Sequence, residues 1–333
     1  MSIPLKRATV IGDGAMGTVC ALLLAEHGTR VALWSAFADR AAEIARAREN
    51  TRFLPGHPLP ESVIVTGDGR QAFAGTELIV SAVPCQYMRE VWRTLKPTYP
   101  VGVPVVSVTK GIENGTLMCP TDIVQDIVGR LSIAALSGPS IAPEVARGLP
   151  ATVVVASEDL DLAERAQQWF STRTFRVYTN PDLIGVELAG ASKNVIAVAA
   201  GIADGLGAGD NAKAALLTRG LVEITRLGVA MGAQAATFKG LAGIGDLVTT
   251  CISKISRNRT AGEKIGRGMT MAEVVASTPS VIEGIPTTAS VLELAARHRV
   301  EMPITQAVYS VLHGHSTPAQ AIDGLMTRQL KPE

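Results

Sequence analysis

A strand, a glycine-rich turn, a helix and a second strand follow one another near the start of the chain. Residues 8–11 (ATVI) form a short apolar run, and the turn GDGAMG follows at 12–17. Residues 18–27 are apolar and compatible with a helix, and residues 31–34 (VALW) form the next strand-like run. This order within about thirty residues is typical of a βαβ unit, which implies a parallel sheet.

The three glycines of the turn have separate physical roles in such a unit. Gly12 permits the tight turn, Gly14 lets the backbone approach a pyrophosphate, and Gly17 lets the helix pack closely on the strand. The phosphates would lie at the helix N-terminus, on its N–H groups and the positive end of its dipole. The sequence therefore predicts a dinucleotide-binding site. The alternative is a glycine-rich turn that binds no ligand.

The end of the second strand indicates which dinucleotide binds. An acidic residue there binds the ribose 2′-hydroxyl of NAD, whereas a nearby arginine favours the 2′-phosphate of NADP. Neither charge directly follows Trp34, and Ser35 can form a hydrogen bond with either ribose. Asp39 and Arg40 lie several residues further on, where charges at a helix start are common. The choice between NAD and NADP stays open.

Composition restricts the classes of partner. The 333 residues are 47% hydrophobic and 18% charged, with a net charge of +1, so no nucleic acid or anionic membrane surface is expected as a partner. No apolar run of about eighteen residues is evident, so no membrane span is expected. The scattered cysteines lack metal-site spacing, which predicts reduced core residues in a cytoplasmic protein that binds no metal. They are Cys20, Cys85, Cys119 and Cys251.

The chain changes character near residue 190. Strand-like runs alternate with helical stretches in residues 1–189, which predicts a Rossmann-type domain with a parallel sheet and helices on both faces. Helix-period patterning dominates residues 190–333 and predicts an all-helical domain. The further strand-like runs are 63–65, 78–83, 105–108, 133–136 and 152–155. The helical segments are 187–203, 212–231, 260–266, 271–277 and 287–299.

A lysine and an asparagine interrupt a helical segment of small and apolar residues. Lys193 and Asn194 follow Gly190-Ala191 and precede the run 195–201. A lysine is rarely buried without a partner, and desolvation lowers a lysine pKa toward the range useful for proton transfer. Lys193 is therefore a candidate catalytic residue. The alternative is a lysine with a buried stem whose ammonium reaches solvent.

Other polar positions allow both functional and structural interpretations. Asp246 lies among glycines and apolar residues, where it could orient a buried lysine or cap a helix. Arg257 in SKISRNR (253–259) could bind a phosphate at a helix start or lie in a basic surface loop. Lys110 follows a strand-like run and could reach a ligand or be solvated. Ser140 follows another and could face a ligand or cap a helix.

In their joint order, these motifs resemble the bacterial-type NAD(P)-dependent glycerol-3-phosphate dehydrogenases over essentially the whole chain. The segments that carry the resemblance are GDGAMG (12–17), SVTKGIE (107–113), LSGPSIAPEVARGLP (136–150), ELAGASKNVIAVAAGIADGLGAGDNAKAALLTRGL (187–221), FKGLAGIGDLVTTC (238–251), SRNR (256–259), VIEG (281–284) and VEMPI (300–304).

The resemblance implies a Rossmann domain joined to a helical domain that binds substrate and catalyses the reaction, in a homodimer. The implied reaction is the reversible reduction of dihydroxyacetone phosphate to sn-glycerol 3-phosphate by NADH or NADPH, for glycerophospholipid synthesis. The implied catalytic residues are Lys193 for proton transfer, Lys110 beside the substrate, and Asp246 as a carboxylate of the site.

The resemblance also implies the binding positions. Those for the cofactor are Gly12, Gly14, Ala15, Met16, Gly17, Ser35, Lys110, Ala142, Arg257, Val281 and Glu283. Those for the substrate are Lys110, Gly138, Ser140, Lys193, Asn194, Asp246, Thr250, Ser256, Arg257 and Asn258. Two departures matter: the family commonly has an aromatic residue at the position of Met16, and often an arginine or histidine near Ser35. The second departure weakens any expectation of NADP preference.

Two alternatives to this function stay open. One is another two-domain dehydrogenase, of the 6-phosphogluconate or ketopantoate type. The other is a cofactor-binding sensor that kept the fold but lost catalysis, because fold alone does not establish activity. The presence of both Lys193 and Asp246 favours an enzyme.

Overall fold

A computed structural model describes residues 4–330 of the chain. Residues 1–3 and 331–333, the outer ends of the two predicted domain ranges, lie outside the described residues. The chain divides into two compact units. The sheet unit contains the residues up to Lys110 together with Met118–Val186, and the helical unit contains Gly111–Leu117 together with the residues from Glu187 onward.

The sheet unit is built on one mostly parallel sheet, as the alternating pattern predicts. Its strands within the described residues are β1 (Arg7–Ile11), β2 (Arg30–Trp34), β3 (Val63–Thr66), β4 (Leu78–Ser81), β5 (Val105–Ser107), β6 (Ile133–Ser137), β7 (Ala151–Ala156) and β8 (Phe175–Asn180). Their order in the sheet is β3-β2-β1-β4-β5-β6-β7-β8. The strands β2 and β3 lie on one side of β1, whereas β4 and the later strands lie on the other side. Parallel sheets bind ligands at the carboxyl ends of the strands where the strand order changes side in this way.

Helices cover both faces of this sheet. They are α1 (Ala15–Glu26), α2 (Ala38–Ala47), α3 (Gly69–Phe73), α4 (Cys85–Leu95), α5 (Pro120–Val128), α6 (Ala142–Ala146) and α7 (Leu160–Phe170). Successive residues of a strand point to opposite faces. Val10 of β1 therefore packs in the core cluster with α1 and α7, whereas Ile11 packs in the cluster with α4 and α5. The Rossmann-type architecture predicted from the sequence is confirmed.

The far edge of the sheet differs from a purely parallel arrangement. β7 runs antiparallel to β6, and its return connection contains only the five-residue helix α6. A helix of five residues rises only about 7 Å, too little to carry the chain back along a full strand for a parallel crossover. β8, which the sequence patterning did not indicate, pairs parallel with β7 and buries side chains on one face only.

The helical unit contains the second half of the chain. Helix α8 (Leu183–Gly205) starts at the end of the sheet unit. The helices that follow are α9 (Gly209–Ala230), α10 (Ala235–Phe238), α11 (Asp246–Ile252), α12 (Arg257–Gly266), α13 (Met271–Ala276), α14 (Gly284–His298), α15 (Pro303–Leu312) and α16 (Pro318–Met326). The predicted helical character of this half is confirmed. The segment after Lys110 joins this unit through the Ser290 hydroxyl, which donates to the carbonyl of Ile112 at 3.2 Å.

Backbone contact between α8 and α12 fixes the centre of the helical unit. A Cβ atom on Gly262 would lie 2.0 Å from the carbonyl oxygen of Val198, and one on Gly201 would lie 1.9 Å from that of Arg259. Real side chains do not approach backbone atoms so closely, so the two helices cross where only glycine fits. This crossing brings the first turn of α12 beside the middle of α8.

Helix α8 is also long and apolar enough to cross a membrane by length and composition. Of its most apolar stretch, however, 89% is buried inside the protein. The burial, and the charged Lys193 and Asp204 along it, are typical of a core helix.

A buried carboxylate links α9 to α15. Glu223 accepts hydrogen bonds from the backbone N–H groups of Ile304 at 2.7 Å and Thr305 at 3.3 Å, in the first turn of α15. Burial raises the pKa of Glu223 to about 7, although these N–H donors oppose the rise. Glu223 therefore replaces a local cap, since Met302 at the start of α15 supplies no side-chain cap.

Candidate active site

The glycine-rich turn of the sheet unit leaves no room for side chains at two of its three glycines. Gly12 has a φ of +108°, and a Cβ there would lie 2.7 Å from the carbonyl oxygen of Ala82. A Cβ on Gly17 would lie 1.9 Å from the carbonyl oxygen of Gly12. Gly14 differs, because its missing Cβ would meet no atom within 4 Å. The turn is therefore closed on the protein side and open at Gly14, which suits a ligand that approaches the backbone.

The first N–H groups of α1 are placed for an anion. The extended Gly14 precedes the helix, and among the described residues no side chain caps this end. The first turn contains no acidic residue and includes Ala15 and Met16, two of the predicted cofactor-binding positions. Unsatisfied N–H groups at the positive end of a helix dipole bind phosphates. This end of α1 therefore fits a pyrophosphate.

An asparagine that the sequence patterning did not single out holds this turn in place. Asn50 is fully buried, and its Nδ2 donates to the carbonyl oxygen of Asp13 at 2.7 Å and to Oγ1 of Thr18 at 2.8 Å. It lies in the connection between α2 and β3, far from the turn in sequence. Motif reading could not find it, because the contact exists only after the chain folds.

The residues at the end of β2 contact the turn. The Ser35 hydroxyl donates to Oδ2 of Asp13 at 2.9 Å and is fully buried. Arg40 forms an ion pair with the same carboxylate. Ser35, a predicted cofactor residue, thus forms an internal hydrogen bond with Asp13. Arg40, which the sequence suggested was an ordinary charge at a helix start, is the ion-pair partner of Asp13.

The predicted residues after β5 and β6 lie together. Nζ of Lys110 donates to the carbonyl oxygen of Gly138 at 3.2 Å, and the Ser140 hydroxyl donates to the same oxygen at 3.0 Å. Ser140 does not cap α6, since the helix starts at Ala142 with Ile141 as its cap residue. Gly138 has a φ of +132°. The capping alternative for Ser140 is therefore excluded, and Lys110 is drawn toward the end of β6.

The lysine that interrupts α8 is buried in an ion pair. Nζ of Lys193 lies 2.9 Å from Oδ1 of Asp246 and 2.5 Å from Oγ1 of Thr250, both on α11. The side chains of Lys193 and Asp246 are only 6% and 3% exposed. The surface alternative for Lys193 is therefore wrong, and Asp246 orients the lysine as one interpretation of the sequence predicted.

Stability does not account for this ion pair. Burial of two charges costs several kcal/mol of desolvation per ion, and replacing a buried pair by apolar residues is often neutral or stabilising. The contacts with a carboxylate and a hydroxyl hold the lysine ammonium at a fixed position, an arrangement that suits proton transfer. The neighbouring Cys251 is inert by comparison, because burial raises the pKa of its thiol to about 12.

Asp246 reaches Lys193 because the chain before it leaves regular helix geometry. Residues Leu241–Gly245 form a single π-type turn, and Gly243 has non-helical φ and ψ of −88° and −105°. A Cβ on Gly243 would lie 2.0 Å from the carbonyl oxygen of Phe238, so glycine is required there. Asp246 is the first residue of α11, and the cap residue is Gly245. Irregular helix turns of this kind are frequent at functional sites.

Two predicted substrate residues are joined in a buried amide pair. Nδ2 of Asn258 donates to Oδ1 of Asn194 at 2.9 Å, and Oδ1 of Asn258 accepts from the N–H of Gly284 at 2.9 Å. Asn194 is adjacent to Lys193 in α8, whereas Asn258 lies in the first turn of α12. The pair therefore fixes the start of α12 against the lysine-bearing segment of α8.

Arg257 and the segment before α14 also meet. Nη1 of Arg257 donates to the carbonyl oxygen of Val281 at 2.9 Å, and Glu283 attracts the guanidinium electrostatically. Arg257 is exposed, and the Ser256 hydroxyl caps α12 by accepting from the N–H of Arg259 at 3.4 Å. Three positions assigned to the cofactor by resemblance are thus neighbours, beside the N-terminus of α12, whose positive dipole end suits a phosphate.

Metal chemistry was not expected from the sequence. Within residues 4–330, no group of three or more histidine, cysteine, aspartate or glutamate side chains is arranged to bind a metal ion. The four cysteines are buried, as predicted, and none of them forms a disulfide within the described residues.

The chain matches two family profiles that together cover most of its length. Residues 7–163 match the NAD-dependent glycerol-3-phosphate dehydrogenase N-terminus, and residues 182–323 match the C-terminus of the same family. Among proteins of known name, the glycerol-3-phosphate dehydrogenase [NAD(P)+] of Prosthecochloris aestuarii is 48% identical over 98% of this chain and 99% of its own. That of Geobacter sulfurreducens is 48% identical over the same shares of the two chains.

Solved structures give the same result. The crystal structure of glycerol-3-phosphate dehydrogenase from Coxiella burnetii superposes with a TM-score of 0.94 at 38% identity, over 98% of this chain and 100% of the other. A ketopantoate reductase from Ralstonia eutropha, a representative of one alternative, reaches a TM-score of 0.60 at 15% identity over 95% of this chain and 99% of its own, a likeness of fold alone. The chain belongs to the NAD-dependent glycerol-3-phosphate dehydrogenase family.

Proposed function

We propose that the chain catalyses the reversible reduction of dihydroxyacetone phosphate to sn-glycerol 3-phosphate with NADH or NADPH. The observation that carries this proposal is the buried contact of Lys193 with Asp246 and Thr250. Lys193 matches the family's proton-transfer position, and a buried ion pair of this kind is not expected to stabilise the fold. The named relatives carry this activity in their names and align over nearly the whole chain.

The cofactor is held by the sheet unit in this proposal. The N–H groups of Ala15, Met16 and Gly17 would bind its pyrophosphate at the start of α1, where the open face of Gly14 fits a closely approaching ligand. When bound, the nicotinamide supplies or accepts the hydride. Lys110 contacts the carbonyl oxygen of Gly138, and Ala142 lies four residues further along the chain, at the start of α6. Both residues are proposed to bind the cofactor near its nicotinamide.

Lys193 supplies the proton. As the C2 carbonyl of dihydroxyacetone phosphate becomes an alcohol, its oxygen takes a proton from the Lys193 ammonium, and in the oxidative direction neutral Lys193 accepts it. Asp246 and Thr250 fix Nζ through the two contacts described above. The positive charge of Lys193 stabilises the negative charge that develops on the oxygen. The family resemblance assigns Lys110 a second positive charge for the substrate.

The phosphate end of the substrate would be bound by the start of α12. Arg257, Asn258 and the N–H groups near Ser256 offer a guanidinium, an amide and the positive end of a ten-residue helix. The amide of Asn258 is already held by Asn194 and Gly284, so its chief contribution is to set the position of this helix start. Holding the phosphate orients C2 for reaction.

A parallel assay tests the proposed function. The purified protein is offered dihydroxyacetone phosphate, 6-phosphogluconate and ketopantoate, each with the matching form of NAD and NADP. We expect turnover with dihydroxyacetone phosphate and none with the other two. Turnover with either of the others alone would replace the proposal by that dehydrogenase type, and cofactor binding without any turnover would favour a sensor.

Arg257→Ala is expected to weaken binding of dihydroxyacetone phosphate. A lost charge-assisted hydrogen bond is worth roughly 1.5–3 kcal/mol, or about tenfold to a hundredfold in KM. The thermal midpoint should change little, because Arg257 is exposed and is held by one hydrogen bond to Val281 and by the attraction of Glu283. The measurement is kcat/KM for dihydroxyacetone phosphate and for unphosphorylated dihydroxyacetone.

The unphosphorylated compound is the control for this variant. If Arg257 binds the phosphate, its removal should lower kcat/KM far more for the phosphorylated substrate than for dihydroxyacetone. Equal proportional losses on both compounds, or a large fall in the thermal midpoint, would assign Arg257 a structural role instead. Arg267→Ala, which removes another exposed arginine of the same unit, should leave both values near those of the parent protein.

Assembly, location and pathway complete the proposal. The family resemblance supports a homodimer of cytoplasmic chains, a division of labour between a cofactor-binding domain (1–189) and a catalytic helical domain (190–333), and a role in glycerophospholipid synthesis. The small-molecule substrates follow from the family. Light scattering of the purified protein in solution tests the homodimer.

A further inference from the structure

The loop after β1 and the end of β2 share a charged cluster that neither the motif nor the family assignment explains. Asp13 stands between the first two glycines of the turn and is only 4% exposed. Its Oδ1 accepts from Nη2 of Arg40 at 2.6 Å, and its Oδ2 accepts from Nε of Arg40 and from the Ser35 hydroxyl. Arg40 therefore holds the carboxylate in a two-point contact, which is the strong form of an ion pair.

This cluster lies where Rossmann-type sheets distinguish NAD from NADP. The N–H of Gly12 donates to the carbonyl oxygen of Trp34 at 2.9 Å, so the glycine turn and the end of β2 are in direct contact. The group that contacts the ribose 2′ position normally follows β2. It is a carboxylate in proteins that bind NAD and an arginine in proteins that bind the phosphate of NADP. Here the carboxylate comes from Asp13 in the glycine turn and the arginine is Arg40 after β2, and the two groups are bound to each other.

The aromatic side chains around Arg40 hold it at this place. The guanidinium carbon lies 4.3 Å from the centre of the Phe37 ring and 5.4 Å from that of Phe53. Phe37 is 59% exposed, and the Arg40 side chain is 20% exposed. Arg40 thus keeps an accessible edge, while two aromatic rings and a carboxylate fix its orientation.

The charge of this accessible edge is the important quantity. A 2′-phosphate carries a charge near −2 and is attracted by an unbalanced guanidinium, but the nearby Asp13 carboxylate repels the phosphate and so cancels most of that attraction. A 2′-hydroxyl is neutral, so its hydrogen bond to Arg40 changes little with the Asp13 charge. The net charge of the Asp13–Arg40 pair therefore changes the affinity for NADPH and leaves the affinity for NADH nearly unaffected.

We propose that Asp13 is a specificity-determining residue that restrains Arg40, so that the chain binds NADH and NADPH with comparable affinity. Arg40 is the group that faces the ribose 2′ position, and Asp13 sets how strongly it attracts a phosphate there. The inference rests on cofactor binding as described under the proposed function and goes beyond it by assigning the selectivity to two residues.

Asp13→Asn tests the inference through binding of the two reduced cofactors. The amide is nearly isosteric and can still accept from Ser35, but it no longer neutralises Arg40. Isothermal titration calorimetry without substrate should show the Kd of NADPH falling about tenfold while that of NADH stays within about twofold. The gain for NADPH should shrink as ionic strength rises, because the added attraction is electrostatic.

Asp39→Asn is the matched control. It removes the same charge from the first turn of α2, one residue before Arg40, but Asp39 is exposed and lies outside the cluster. Its ratio of the two Kd values should equal that of the parent protein. A shift as large as that of Asp13→Asn would mean that overall charge decides the ratio, and it would overturn the assignment to Asp13.

Arg40→Gln provides an independent test that does not require Asp13→Asn to fold. Leaving the Asp13 charge without its partner should weaken NADPH binding by more than tenfold relative to NADH. The double variant, which lacks both charges, should fall between the two single variants. Ratios that stay within twofold of the parent value in Asp13→Asn or in Arg40→Gln would overturn the inference. Such ratios would leave the dehydrogenase function intact, whereas no binding of either cofactor to the parent protein would overturn both.

Discussion

Replacing Lys193 by methionine is expected to lower kcat for dihydroxyacetone phosphate reduction by at least about a hundredfold, the lower range for loss of a general acid. Methionine keeps much of the volume and the unbranched shape of lysine, so the change removes mainly the ammonium. The Kd of NADH should stay within about twofold, since the groups proposed to bind its pyrophosphate belong to the sheet unit. Steady-state kinetics and calorimetric binding of NADH measure the two quantities on the same preparation.

Lys213→Met is the matched control for this prediction. Lys213 is another lysine of the helical unit in an ion pair, with Asp204, but it takes no part in the contact with Asp246. Its variant should keep kcat within about threefold of the parent value, because the lost pair is part of a partly exposed network. A Lys193→Met enzyme that retained near-normal kcat would remove this lysine from the mechanism.

Folding has to be separated from chemistry in the Lys193 variant. Removing one partner of a buried ion pair leaves an uncompensated charge, which costs about 3–5 kcal/mol. The double variant Lys193→Met with Asp246→Asn removes both charges and should recover much of the lost thermal stability. It should remain at least about a hundredfold slower than the parent, because no proton donor is restored.

The sequence predicted the parts of this fold that depend on local patterns. The spacing of the glycines at 12–17 is the one that a close βα connection requires, and in the structure a Cβ atom on Gly12 or Gly17 would overlap the backbone. Lys193 stood out because a cation in a segment of small residues conflicts with simple core packing. Each of these two signals is contained in a short stretch of sequence, which is the range that pattern reading can use.

The remaining features depend on contacts between distant segments. Asn50 meets the glycine turn across more than thirty residues, and Arg40 meets Asp13 across 27. Neither contact leaves a periodic trace, since one asparagine or arginine in a polar stretch is ordinary for a loop or helix start. The strand β8 was missed for a related reason: its one-sided burial gives a polar alternation that resembles a surface segment.

Replacing Gly262 by alanine is expected to have the second large effect, through the crossing of α8 and α12. The added Cβ would lie 2.0 Å from the carbonyl oxygen of Val198, and a backbone carbonyl cannot rotate away as a flexible side chain can. The two helices must separate, and overpacking of this kind costs about 3 kcal/mol of unfolding free energy. Asn258 lies one turn earlier on α12, so it would move away from Asn194 and kcat/KM for dihydroxyacetone phosphate should fall more than about tenfold. Chemical denaturation and steady-state kinetics measure the two effects.

Gly324→Ala separates steric overlap from the general effect of adding a methyl group to a helix. Gly324 lies inside α16, and a Cβ there would meet no atom within 4 Å. Alanine has the higher helix propensity, so this variant should be unchanged or more stable by about 0.5–1 kcal/mol, with normal activity. The two variants have the same chemical change and opposite expected signs. Gly262→Ala with an unfolding free energy within about 0.5 kcal/mol of the parent value would mean that α8 and α12 are not in backbone contact. In that case the crossing would not be what fixes Asn258 beside Lys193 and Asn194.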